Sequence, residues 1–81
     1  MKVNINGIYH DVSYQDKSND NNMGRWVEKK CLIEIDSSMD KQVQQHTLWH
    51  EFFHGVLHLQ GDADLGNNED FVNRLATIMT N

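Results

Sequence analysis

Between Met39 and Leu59 the sequence reads as one long helix, apolar around most of its surface and polar along one narrow strip. With about 100° of rotation per residue, Val43, Leu48, Trp49, Phe52, Phe53, Val56, Leu57 and Leu59 cover more than half of the circumference. A helix this apolar packs on more than one side and lies at the centre of its domain. The strip left over holds His50, Glu51, His54 and His58. Titratable groups are thereby carried into the interior, where polar atoms without partners are costly. Whatever fold the chain adopts must supply those partners.

The rest of the chain is short. Its 81 residues make one domain, 1–81, and a domain of that size buries only roughly 60–65% of the surface its unfolded chain exposes. A bound metal would stabilise such a thin core, because ligands assembled by folding turn binding energy into folding energy. Lys2 to Ile5 and Ile8 to Val12 flank Asn6-Gly7, a hairpin signal, since both turn residues tolerate positive φ. Tyr14 to Arg25 reads as a polar loop. Trp26 to Asp36 reads as a second strand region in which Cys31, Ile33 and Ile35 alternate with Leu32, Glu34 and Asp36.

Helix punctuation follows. Asp36-Ser37-Ser38 with Asp40 just beyond is a start signature, and Gly61 suits the end of the long helix. After a short turn from Gly61 to Gly66, Asn67 or Asn68 can cap a last helix from Glu69 to near Thr80. The expected fold is α+β, a three- to four-stranded sheet packed on the central helix, with the last helix beside it.

His50 and His54 project from one face of the central helix about one turn apart. Neutral imidazoles in that arrangement suit zinc, which takes four tetrahedral ligands. Glu51 lies beside the first histidine, where its carboxylate can take a proton from an attacking water and pass it to the leaving amine. His-Glu-x-x-His on a helix is the pattern of metallopeptidases. A third ligand is required. Glu69 opens the next helix and can fold back against the imidazoles; Asp62 and Asp64 in the turn compete with it. Asn73, four residues beyond Glu69, can accept the ring N–H of His50. His58 is either an ordinary polar-face histidine or, with Tyr9 and Tyr14, a candidate oxyanion donor, and His46 reads as structural.

Leu48-Trp49-His50-Glu51-Phe52-Phe53-His54-Gly55-Val56-Leu57 and Asn68-Glu69-Asp70-Phe71-Val72-Asn73-Arg74-Leu75-Ala76, together with the Val3-Asn4-Ile5-Asn6-Gly7-Ile8 opening, resemble the ImmA/IrrE-like zinc metallopeptidases. The small phage and prophage members are the most similar. The resemblance implies that His50, His54 and Glu69 bind zinc and that Glu51 activates water. Phe71-Val72 departs from the Glu-Ala common inside the second motif. Some relatives cleave phage repressors or other transcriptional regulators, so the implied substrate is a phage or host regulatory protein. The alternative is a zinc-stabilised interaction module without catalysis.

Twelve acidic against seven basic side chains give a formal charge of −5, which argues against nonspecific nucleic-acid binding. The lone Cys31 cannot close an internal disulfide and reads as a buried small hydrophobe. No apolar run approaches the ~20 residues of a membrane span. With no export signal, the expected compartment is the cytoplasm.

Overall fold

Asn6 and Gly7 both adopt positive φ, 52° and 86°, and join two antiparallel strands, β1 (Lys2–Ile5) and β2 (Ile8–Gln15). A two-residue turn of that hand matches the right-handed twist of the strands it connects. The computed structural model describes residues 1–17 and 23–80. Residues 18–22 of the expected polar loop lie outside the described residues. Its flanks are strand: Tyr14 and Gln15 end β2, and Gly24 and Arg25 begin β3 (Gly24–Val27).

The expected single strand region from Trp26 to Asp36 is instead two antiparallel strands, β3 and β4 (Leu32–Asp36). A 3-10 turn, Glu28–Lys30, reverses the chain between them, and Cys31 closes it in the left-handed conformation at φ 46°. Cys31 is therefore half-buried at a turn and is not the first inward residue of a strand.

The four strands form one mixed sheet in the order β1-β2-β4-β3, with β2 and β4 parallel. Register places Val3, Ile5, His10, Val12, Gly24, Trp26, Ile33 and Ile35 on one face. Ile5, Val12, Ile33 and Ile35 are the centre of the core, against Leu48, Phe52 and Val56 of α1 (Lys41–Leu59). His10, buried on this face, satisfies Nδ1 by donating to the Ile8 carbonyl at 3.0 Å. Opposite Ile33 and Ile35, Glu34 and Asp36 point to the other face, yet both are buried. Arg25 and Lys17 pair with Glu34. Asp36 Oδ1 accepts from the Lys17 amide and from both the amide and hydroxyl of Ser38, at 2.7–2.9 Å.

The start of α1 lies later than expected: Asp40, read as following an Asp36-Ser37-Ser38 start, is itself the cap, accepting from the Gln42 amide at 2.9 Å, and the helix begins at Lys41 and not at Met39. At the other end the Asp62 amide donates to Leu57 and the Gly61 amide to His58, with Gly61 at φ 84°, the paired bonds of a Schellman ending. The turn that follows contains a single helical turn, α2 (Ala63–Gly66), before α3 (Glu69–Thr80), which Asn68 caps through the Phe71 amide. Val43, expected on the apolar arc of α1, is exposed. Among the described residues no helix is long and apolar enough to cross a membrane.

Candidate metal centre

The α1–α2–α3 reversal brings Glu69, at the start of α3, over the polar strip of α1. His50 Nε2 lies 2.9 Å from one Glu69 oxygen and His54 Nε2 lies 3.2 Å from the other, while the two Nε2 atoms are 3.0 Å apart. Among the described residues, His50, His54 and Glu69 form the one group of His, Cys, Asp or Glu side chains that could hold a metal ion. The competitors Asp62 and Asp64 are exposed and stand outside it.

The hydrogen bonds behind the rings decide what the three atoms can do. His54 Nδ1 lies 2.6 Å from the Gly66 carbonyl, an acceptor only, so Nδ1 carries the proton and donates. His50 Nδ1 stands likewise to Asn73 Oδ1, at 2.7 Å. Each Nε2 is then left with a lone pair, and both lone pairs converge with a carboxylate. Three acceptors facing one another repel unless a cation lies between them. A tetrahedral ion with nitrogen and oxygen ligands at about 2.0–2.2 Å keeps those ligands roughly 3.3 Å apart, close to the spacing present here. The donor set and its spacing fit a small divalent ion.

Glu51 is buried next to this group. Burial is the main cause that pushes its carboxyl above the ordinary glutamate range, and the Glu69 charge adds to it. His50, His54 and a hydrogen bond from the Trp26 backbone amide act in the opposite sense. That amide belongs to β3, the edge strand.

A cleft of about 590 Å³ opens over the site, with α1 as its floor, Met23, Gly24 and Trp26 on one side and Glu69 and Asn73 on the other. Tyr9 and Tyr14, considered as oxyanion donors, do not line it; both are exposed elsewhere. His46 turns towards α3, with Nε2 3.3 Å from Thr77 Oγ1, and not into the apolar side of α1. The Thr77 hydroxyl donates to the Asn73 carbonyl, so the His46 ring donates to Thr77.

Sequence reasoning did not find Gly66, which acts through a backbone carbonyl that any residue possesses and that no side-chain pattern encodes. Comparison with protein-family models, with curated proteins and with solved structures gives no match, so the roles of these residues rest on their geometry and chemistry.

Proposed function

We propose that this chain is a zinc-dependent peptide hydrolase, with His50, His54 and Glu69 as the ligands and Glu51 as the general base. The observation that carries the reading is Glu51. A metal that only braces a fold needs ligands, and burying a further carboxylate beside them is a cost without structural return. A carboxylate buried in the cleft floor beside the ligand atoms is placed to exchange a proton with a water held there. Two imidazoles and a carboxylate are a donor set that suits zinc.

Bound zinc supplies Lewis acidity, which acidifies a water and polarises a peptide carbonyl. Glu51 takes the proton at its carboxylate and returns it to the departing amine. Asn73 and the Gly66 carbonyl keep the Nδ1 protons of His50 and His54 in place, so that each Nε2 stays a ligand. An extended peptide can lie along the cleft by adding to a free sheet edge. β4 is enclosed between β2 and β3. β3 is the edge on the cleft side, and it takes that role. A regulatory protein as substrate comes from the sequence resemblance.

Zinc content and cleavage of a mixed peptide substrate test the reading. His50→Ala and His54→Ala are expected to lose zinc. Glu51→Gln should keep it while hydrolysis falls by about 10²–10⁴-fold. Unchanged hydrolysis by Glu51→Gln would sink the mechanism. Zinc retention by the unaltered chain without any hydrolysis would favour the non-catalytic interaction module instead.

A further inference from the structure

His58 is the member of the polar strip that the chemistry above leaves unused. Its ring stacks against Trp26, with centroids 5.4 Å apart and planes inclined at 32°. The opposite edge meets Gly66: a Cβ at that position would lie 2.7 Å from His58 Cδ2 and 3.0 Å from its Nε2. Gly66 adopts helical geometry, so backbone strain does not demand glycine here. Proximity to the imidazole does.

One neighbour of the ring meets the metal centre directly and the other borders it: Gly66 offers its carbonyl to His54 Nδ1 at 2.6 Å, and Trp26 lines the cleft over the site. The indole is not anchored by its own polar atom, for Trp26 Nε1 is buried and finds no acceptor among the described residues. It is held by packing alone: a Cβ at Gly55 would lie 3.1 Å from that nitrogen, so α1 closes on one part of the indole while His58 stacks on it. The Nε2–Cδ2 edge of His58 lies against Gly66, so that edge faces α2.

We infer that His58 is a positioning residue: wedged between Trp26 and Gly66, it spaces the edge strand from α2 and thereby sets the carbonyl that orients His54. This rests on the metal-centre reading. It assigns His58, which also borders the cleft, to positioning.

The test is the affinity of the full chain for Co²⁺, read from its visible absorption spectrum, in the unaltered protein, His58→Ala, Gly66→Ala, the double variant and His58→Phe. Altering a partner of a metal-bound histidine typically weakens binding about 10–100-fold, and both single alanine variants are expected in that range. The double variant should bind no more weakly than Gly66→Ala alone, because removing the ring removes the collision with the new methyl. His58→Phe keeps a flat ring on Trp26 and should keep both affinity and spectrum. Independent, additive losses in the double variant, or unchanged affinity in both singles, would overturn the inference. So would a His58→Phe protein that binds Co²⁺ normally and, loaded with zinc, no longer hydrolyses peptide, since His58 would then be a donor to the reaction. Failure of the unaltered chain to bind Co²⁺ overturns the metal reading and this inference together, whereas the other outcomes strike this inference alone.

Discussion

At Gly24 only a hydrogen atom separates β3 from its neighbours. A Cβ there would lie 2.7 Å from Thr47 Cγ2 and 2.8 Å from the Glu34 carbonyl oxygen. Thr47 is buried one turn before Glu51 on α1, so here the edge strand lies tightly against the helix that carries the proposed base. A side-chain methyl could be moved aside; the carbonyl belongs to the β3–β4 ladder and cannot be. Gly24→Ala is therefore expected to destabilise the fold by about 1–3 kcal/mol, the usual range for overpacking, as read from the urea midpoint. Because the same shift moves the β3 wall of the cleft, the variant should lose the proposed hydrolysis beyond its loss of folded protein. A variant of normal stability and activity would contradict the close approach.

At the scale of elements, α3 has a strongly one-sided character. Val72 and Ala76 are buried, whereas Ile78 and Met79 near its end are exposed. Its first residue is the proposed ligand Glu69, so a bound metal would tie the start of α3 to α1. Metal in hundredfold excess over its dissociation constant adds about 2.7 kcal/mol. In a domain this small that raises the thermal midpoint by roughly 10–20 °C. Glu69→Gln should remove most of this increment and change the metal-free midpoint little; an equal loss with and without metal would make Glu69 a helix-dipole partner only. The helices were legible in the sequence because their boundaries are local chemistry: Asp40, Gly61 and Asn68 cap through atoms within a few positions. The Asn6-Gly7 hairpin was legible for the same reason. The reversal between β3 and β4 was not, since Glu28–Lys30 and Cys31 carry no glycine or proline to mark it. The parallel pairing of β2 with β4 was hidden as well, being fixed by burial of Val12, Ile33 and Ile35 against α1. In the candidate site the His50, His54 and Glu69 group that could hold a metal was read from spacing and helix order, while the Gly66 carbonyl that meets His54 could not be.

The whole molecule meets acid through its sheet. Arg25 holds the Glu34 carboxyl below the ordinary glutamate range through a hydrogen bond, burial opposes this, and the Arg25, Lys17 and Lys30 charges assist. Asp36 is lowered by the Ser38 hydroxyl and by the Lys17 and Ser38 amides. A carboxyl with a depressed folded pKa contributes stability that is complete above its unfolded value, about 4. That contribution is lost as pH falls through the folded value. Glu34→Gln should accordingly be less stable than the unaltered chain at pH 7, and the gap in urea midpoint should close as the pH is taken below about 4. A gap that persisted in acid would mean that shape, not charge, sets the role of Glu34.

The bond from Asn6 Nδ2 to the Val56 carbonyl, at 3.4 Å, joins positions 50 residues apart, whereas all three proposed ligands fall between positions 50 and 69. Short loops close more readily than long ones, so the helical hairpin can gather its ligands while the sheet is still undocked. On the proposed reading, a partly folded chain that has formed only this hairpin holds its metal ligands before the β3 wall of the cleft is in place, so metal capture precedes the proposed hydrolysis.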